Sequence, residues 1–435
     1  MSIVKTIERF IPDSVLKYYR NSKWQIKHIV YDHRYHRTIK RLRKQQTPIR
    51  VVFFLLQASN WKYDCLYRMM DADLCFDVSV LVCERMSIED KNERINEMEK
   101  CYAMCVERGY HTIKGYDVEN DKIINPKFLK PDIIFYCNPY ARFYRKGYFM
   151  NNFKNSLICY ANYSYEIIPF RWAFTGDLQN LAWRYFCESK GHQQLVLFYS
   201  LFKGHNTIVT GYPVMDAYMI NDGNKGEWKI ADRKIKRIIW APHQSIYDAK
   251  MSHEAAVVQF STFLLYADFM LELAEKYKDK IQIAFKPHPF LKRNLYNHSE
   301  WGQKKTDKYY ALWENGENTC FVEGDYVDLF CSSDALIHDS GSFTAEYLCT
   351  QKPCMFLATY MNGENMNDMG KGAFDCHYKG LNKDDIEHFI TEVVLKGNDT
   401  MGEQRRRFYE DNLLPPNGSS VAENIINEIK TNIGR

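Results

Sequence analysis

Apolar residues in this chain fall into short blocks, and the spacing between blocks changes along its length. Up to about residue 48 the spacing is helical. Ile3, Ile7, Phe10 and Ile11 recur at helical intervals, Pro12 ends that piece, and a second helical stretch runs from about Ser14 to Lys44. From Arg50 onward, continuous apolar runs alternate with amphipathic stretches. Val51–Gln57 and Phe76–Cys83 read as buried parallel strands. Ile88–Arg108 reads as a helix with Ile95, Met98, Tyr102 and Cys105 on one face; Asp132–Cys137, Leu157–Tyr160 and Thr207–Thr210 read as further strands.

The turn-rich stretch Asn221–Glu227 interrupts the alternation, which then restarts. Arg237–Trp240, Ile281–Phe285, Ala335–Ile337 and Cys354–Leu357 are predicted strands; Ala255–Tyr277, Tyr326–Cys331 and Phe343–Thr350 are predicted helices. A last helix, Val421–Ile433, follows Pro415-Pro416-Asn417-Gly418. The pattern predicts an α/β fold with two Rossmann-like, doubly wound domains facing a cleft and a basic helical N-terminal leader. The expected divisions are a leader over 1–48, a first domain over 49–220, a second over 228–414, and a tail, 415–435, whose helix can cross back to the first domain. Ligands in such sheets bind beyond the carboxyl ends of the strands, so the cleft is where a site is expected.

A length of 435 residues agrees with two cores rather than one. The net charge of +4 is too mild to point to nucleic acid. The charge is nonetheless uneven. Lys17, Arg20, Lys23, Lys27, Arg34, Arg37, Lys40, Arg41, Arg43, Lys44 and Arg50 face only Asp32 in opposition. With Tyr18, Tyr19, Trp24, Val30 and Tyr35 interspersed, this segment fits either a membrane-surface helix or a helix packed on its own domain. The 13 cysteines show no metal-type spacing, Cys101 and Cys105 coming nearest, and free thiols suit a reducing compartment. No apolar run reaches ~18 residues, and Lys5, Glu8 and Arg9 interrupt the start as a signal peptide would not. The expectation is a cytoplasmic protein, at most peripheral on the inner face of the plasma membrane.

Four segments carry candidate chemistry. In His338-Asp339-Ser340-Gly341-Ser342-Phe343-Thr344-Ala345-Glu346 a buried strand runs into a helix, so Ser340, Gly341 and Ser342 offer N–H groups and hydroxyls to a phosphate, with Glu346 one turn on to meet ribose hydroxyls. An ordinary serine cap would look the same. Lys286-Pro287-His288-Pro289 follows a strand, and residues two apart on extended chain face the same way, so a cation and an imidazole converge. Trp240-Ala241-Pro242-His243-Gln244-Ser245 brings His243 to another strand end. Gly211-Tyr212-Pro213-Val214-Met215-Asp216 is a candidate hinge that places Asp216 near the cleft, or a plain turn. The triplet Asp71-Ala72-Asp73 matches a metal-binding Asp-x-Asp by composition alone and is set aside.

In this order the four segments resemble the CDP-glycerol glycerophosphotransferase family, the teichoic-acid primases and polymerases. That family shows a Gly-x-Pro-x-x-Asp element, a Tyr-Ala-Pro-type strand end, Lys-x-His-Pro, and an Asp-x-Ser-Ser segment leading into a helix with an acidic residue. The counterparts are Gly211–Asp216, Trp240–Pro242, Lys286–Pro289 and Asp339–Glu346, within roughly residues 130–400. The resemblance implies a GT-B fold, an N-terminal acceptor domain, a C-terminal domain binding a CDP-polyol, and no metal or other cofactor. It implies transfer of a polyol phosphate, glycerol phosphate foremost, to a hydroxyl of a cell-surface glycan, capsule or teichoic-acid-like precursor, with a lipid-linked acceptor among the partners. His288 and Lys286 then meet the donor phosphates, His243 assists, and Ser340, Gly341 and Ser342 cradle them. Two departures stand out. His243-Gln244-Ser245 replaces an arginine after the Tyr-Ala-Pro element, and Cys159–Ile167 lacks the histidine of the family's His-Gly-Thr-Pro element. Glu166 is the nearest candidate base there. The alternatives are a GT-B glycosyltransferase using a nucleotide sugar and a catalytically silent GT-B binding module.

Overall fold

The computed structural model describes residues 13–168, 171–246, 261–358 and 366–435. The chain forms two compact units. The first takes the chain up to Tyr163, Phe170–Pro213 and Pro416–Arg435; the second takes Ser164–Pro169 and Val214–Pro415. The passage from one unit to the other thus falls within Gly211–Asp216, ahead of the turn-rich stretch 221–227. The N-terminal piece with Ile3, Ile7, Phe10, Ile11 and Pro12, and residues 255–260 of the helix predicted over Ala255–Tyr277, lie outside the described residues.

The first unit opens with the helix Asp13–Leu42 (α1). Tyr31, Tyr35, Thr38 and Leu42 are buried and recur every three or four residues, the signature of one packed helix face. The Tyr35 hydroxyl donates to the Leu181 carbonyl at 2.7 Å. Arg41 and Arg50 both donate to Asp132, which is 1% exposed. Desolvation alone would raise the Asp132 carboxyl; hydrogen bonds from Arg50, Arg41 and Gln45 outweigh it and hold the group below its ordinary value. The basic helix is therefore packed on its own unit along its C-terminal half. Strands Ile49–Leu55 (β1), Phe76–Val82 (β2), Thr112–Lys114 (β3), Ile133–Tyr136 (β4), Leu157–Ala161 (β5), Arg184–Cys187 (β6) and Thr207–Val209 (β7) form a parallel sheet in the order β3-β2-β1-β4-β5-β6-β7. The helix Val421–Ile433 belongs to this unit and is anchored by Lys430 to Asp73 (2.5 Å) and Glu428 to Arg184 (2.6 Å). Asp73 thus has a structural partner, in keeping with setting aside the Asp-x-Asp triplet.

The second unit repeats the scheme. Strands Lys236–Ala241 (β8), Ile281–Phe285 (β9), Thr319–Phe321 (β10), Ala335–His338 (β11), Cys354–Leu357 (β12) and Tyr378–Gly380 (β13) are all parallel, in the order β10-β9-β8-β11-β12-β13. This is the doubly wound order, in which the direction of winding reverses between β8 and β11. Trp240 on β8 stacks on Phe263 at 5.7 Å and 7°, and Phe285 on β9 stacks on Trp313 at 5.1 Å. Both tryptophans are fully buried. Aromatic pairs of this kind contribute ~0.5–1.5 kcal/mol each beyond the area they bury, so they pin the floor on which the strand ends rest.

Candidate functional site

Three of the four chemical segments end on the adjacent strands β9, β8 and β11, at the reversal point of the second unit. The registers align those ends: Trp240 lies opposite both Phe285 and Ile337, and Ala241 opposite His338. The β8–β9 ladder continues past the strands, with Lys286 N–H donating to the Trp240 carbonyl (2.8 Å) and His288 N–H to the Pro242 carbonyl (3.0 Å). Pro287 and Pro289 occupy the alternate positions, where the missing N–H leaves that ladder intact. The proline-histidine-proline spacing thus lets an extended strand end carry two functional side chains without breaking its pairing.

The rings of His243 and His288 meet edge to face, their centroids 5.3 Å apart. Each is held in the same way. The N–H of Ser245 donates to His243 Nδ1 (3.2 Å), and the N–H of Phe290 donates to His288 Nδ1 (3.2 Å). A nitrogen that accepts cannot carry the proton, so both neutral rings present Nε2–H as a donor. Desolvation drives His243 down to about 4. Desolvation first, then the neighbouring His243 and the Lys286 ammonium, drive His288 to about 3. In the free protein the His288 ring is thus a neutral hydrogen-bond donor. The positive charge comes from Lys286, 6% exposed, whose Nζ donates to the Gly324 carbonyl at 3.0 Å and lies 5.4 Å from the Tyr326 ring centre.

Asp339 is fully buried and ties the strand ends together. One carboxylate oxygen accepts the His243 N–H (2.5 Å) and the other accepts Thr262 N–H (2.5 Å) and hydroxyl (2.8 Å). Burial raises its carboxyl to about 6, against these bonds that pull it down. His338, also fully buried, accepts the Ser340 N–H on Nδ1 (3.2 Å) and packs against Phe356 and His377, at 5.1 Å each. The carboxylate of Glu346 is likewise enclosed and accepts the hydroxyls of Tyr326 (2.9 Å) and Tyr218 (3.4 Å). His338, Asp339 and Glu346, expected to touch a donor, instead have side chains closed in by protein.

Of Ser340-Gly341-Ser342, the first is buried and its N–H, expected to be offered to a phosphate, goes to His338; the other two are open by comparison. Gly341 and Ser342 are part-exposed, and among the described residues the N–H groups of Gly341, Ser342 and Phe343 meet no acceptor. A Cβ placed on Gly341 would meet only Ile167 Cδ1, at 3.9 Å. The helix expected over Phe343–Thr350 is one α-turn, Phe343–Glu346, followed by a 3-10 turn, Tyr347–Thr350. Thr344 diverts its hydroxyl to the Ser340 carbonyl, which tightens the segment. Four residues sum little macrodipole, so what the loop offers is its N–H groups rather than a helix dipole.

Glu166 sits in the short stretch Ser164–Pro169 that joins the second unit. Asn367 pins that stretch: its Nδ2 donates to the Glu166 carbonyl (2.7 Å) and its N–H to the Ile167 carbonyl (2.8 Å). Ile167 in turn lies beside Gly341. Asn367 carries no motif signal, and only tertiary structure reveals its part. Asp216 is buried in the helix Met215–Ile220, and Gly211 takes a φ of 99° that favours glycine, its N–H donating to the Cys187 carbonyl. Gly211 lies in the first unit and Asp216 in the second, so the two flank the passage between them. Among the described residues one group has metal-type proximity, His28, Asp32 and His205 in the first unit, with ligand atoms within 4.8 Å of one another. His28 Nε2 and His205 Nε2 stand 2.8 Å apart, the length of an imidazole–imidazole hydrogen bond.

Comparison with known proteins bears on this arrangement. Residues 177–363 match the family model for CDP-Glycerol:Poly(glycerophosphate) glycerophosphotransferase, a span that includes all four chemical segments and stops short of Glu166. No curated protein matches the sequence. Among solved structures, a variant of the wall teichoic acid polymerase TagF is similar at 14% identity and a TM-score of 0.56, covering 96% of this chain and 98% of its own. MnaA from S. aureus with UDP is similar at 13% identity and 0.54, covering 89% and 97%. The UDP-GlcNAc 2-epimerase of Neisseria meningitidis bound to UDP-GlcNAc is similar at 14% and 0.52, covering 87% and 99%. The fold is that of the GT-B enzymes, and the resemblance to the glycerophosphotransferase family extends over residues 177–363.

Proposed function

We propose that this enzyme transfers glycerol phosphate, or a closely related polyol phosphate, from a CDP-linked donor to a hydroxyl of a cell-surface polymer precursor. The observation that carries this reading is the convergence of Lys286, His288, His243 and the Gly341 loop at the reversal point of one sheet, inside the span that matches the family. Such sheets take nucleotides at that point. Lys286 supplies fixed positive charge, His288 and His243 supply two Nε2–H donors, and the loop supplies unpaired backbone N–H groups. These are partners for a pyrophosphate, arranged before the ligand arrives.

In the proposed step the acceptor oxygen attacks the phosphorus that bears the polyol. The bond from that phosphorus to the bridging oxygen breaks, and CMP departs with the electron pair. The acceptor proton passes to a base, for which Glu166 is the candidate. Phosphoryl transfer asks mainly for positioning and charge stabilisation, which is what the histidine pair, Lys286 and the loop offer. Asp339 holds His243 in place, and Glu346 holds Tyr326 under Lys286. Gly211 and Asp216 bracket the passage between the units and are proposed as its hinge. The protein is proposed to work in the cytoplasm, at the inner face of the membrane, through its basic N-terminal helix. Among the described residues no helix is long and apolar enough to cross a membrane.

A nucleotide-sugar transferase is the second reading, favoured by the likeness to structures carrying UDP and UDP-GlcNAc. Calorimetric titration separates the two. CMP and CDP should bind more tightly than UMP and UDP, and CDP-glycerol should yield CMP on turnover. A clear preference for the uridine nucleotides, with no CMP released, sinks the CDP-polyol reading.

A further inference from the structure

A groove of about 1410 Å³ lies wholly within the first unit, apart from the nucleotide-facing cluster. Its floor is aromatic. Tyr136, Tyr144, Tyr148 and Met150 are buried there, and the three tyrosines turn their hydroxyls inward. Tyr136 donates to the Tyr148 carbonyl (2.6 Å), Tyr144 to the Phe54 carbonyl (3.2 Å), and Tyr148 to the Gly115 carbonyl (2.6 Å). Their polar ends are spent, so they offer the groove ring surface alone. The opposite wall is α1, whose Ile26 and Val30 line the groove while 63% and 39% exposed. Among the described residues this isoleucine and valine are left exposed on a basic helix.

The rim is charged, and almost all of one sign. Lys23, Lys27, Arg34, Arg142 and Lys154 line it against the single carboxylate of Asp177, itself 3.7 Å from Lys27. Arg34 and Arg142 lie over the rings of Tyr31 and Tyr140 at 5.3 and 5.7 Å, their guanidinium groups carried on aromatic faces at the mouth. An apolar trough with a cationic lip complements a molecule with a hydrocarbon tail and a phosphate head. A free phosphate would leave the trough empty, and a neutral lipid would leave the lip unpaired.

We propose that this groove binds a single hydrocarbon-tailed phosphate ester, the lipid end of the acceptor, with its tail between Ile26, Val30 and the tyrosine floor and its phosphate at the basic lip. This rests on the reading of the protein as a transferase acting on a lipid-linked precursor. It adds where the lipid is held and by what chemistry.

The test is calorimetric titration of the full chain with hexyl, octyl and decyl phosphate below their aggregation limits, and with inorganic phosphate and decanol as controls. Affinity should rise with tail length, by up to about fourfold per methylene where the group is fully buried. Inorganic phosphate and decanol should each bind at least about tenfold more weakly than decyl phosphate. Ile26→Asp and Val30→Asp, both at exposed positions and so tolerated by the fold, should weaken decyl phosphate at least about tenfold while CMP binding is unchanged. A flat tail-length series, equal binding of inorganic phosphate, or undiminished binding by both variants overturns the proposal. Binding of decyl phosphate without any binding of CMP would leave the groove standing and bring down the functional reading instead. Vesicles of phosphatidylglycerol provide the remaining arm. If they compete with decyl phosphate, one pocket serves both; if they bind undiminished to the two variants, the membrane is met elsewhere and the groove keeps its single-lipid role.

Discussion

Replacing His288 by alanine is the sharpest test of the proposed donor site, and the structure sets its size. With its imidazole near pKa 3 in the free protein, about one molecule in ten thousand carries a cation there at pH 7. Forming that cation before the donor arrives would cost about 5 kcal/mol. On the proposed reading the ring acts through its Nε2–H, since Nδ1 accepts the Phe290 N–H. Loss of one such preorganised donor costs ~2.7–4 kcal/mol, or about a hundredfold to a thousandfold in turnover. The fold loses little: the His288 N–H bond to Pro242 is a backbone bond and survives, while the bond from Phe290 to the ring, worth about 0.5–1.5 kcal/mol, goes together with the ring contacts to His243 and Phe290. His288→Ala should thus slow CMP release from CDP-glycerol about a hundredfold to a thousandfold and barely move the melting temperature. His288→Gln, which retains an N–H donor, should recover much of the rate. A glutamine variant as slow as alanine, together with a wild-type rate that falls tenfold per pH unit above neutrality, about 1.4 kcal/mol per unit, would show that charge was required. An alanine variant that melts early yet keeps its rate per folded molecule would make His288 a core residue and defeat the site assignment.

Two further outcomes follow from the same geometry. Gly341→Ala adds a methyl whose nearest protein neighbour is Ile167 Cδ1 at 3.9 Å; the melting temperature should hold, while CMP affinity, measured calorimetrically, drops roughly tenfold, and unchanged affinity would remove the loop from the phosphate site. His338, driven to about 3 by burial, has a depressed folded value, so its contribution is fully present above about pH 6.5 and drains as the unfolded chain takes up protons below it. His338→Gln does not titrate, so denaturant unfolding should show wild type losing roughly 2 kcal/mol relative to the variant between pH 7 and pH 5; a gap that stays constant with pH refutes the burial argument.

The strands were legible because parallel strands covered on both faces must be apolar throughout. Ile281–Phe285 and Cys354–Leu357 match the predicted spans to the residue, and β1, β2 and β8 shift by no more than a residue or two. The strands that went unread, Thr112–Lys114, Arg184–Cys187, Thr319–Phe321 and Tyr378–Gly380, are three or four residues long and partly polar. β3, β10 and β13 lie at sheet edges, where one side needs no partner and the apolar signal thins. The helix predicted over Phe343–Thr350 has the observed bounds, but it passes from an α-turn, Phe343–Glu346, into a 3-10 turn, Tyr347–Thr350, with the Thr344 hydroxyl competing for the Ser340 carbonyl at its start.

The site was legible to the extent that its chemistry is local in sequence. Lys286 and His288 were readable because a strand end with alternating prolines fixes which way two side chains face. The protonation state of His288 was not, because it depends on a second histidine 45 positions earlier and on burial that no local pattern records. Glu346 shows the same limit more sharply. A carboxylate one turn into a helix after a phosphate loop reads as a ribose contact, since short-range spacing is all the sequence displays. Folding instead buries it, and a buried carboxylate persists only with donors around it. Tyr326 and Tyr218 provide them, from 20 and 128 residues away. The consequence reaches the chemistry regardless. Holding the Tyr326 hydroxyl fixes the ring whose face lies 5.4 Å from the Lys286 ammonium, so the glutamate shapes the charged wall of the site by positioning the aromatic residue beneath it.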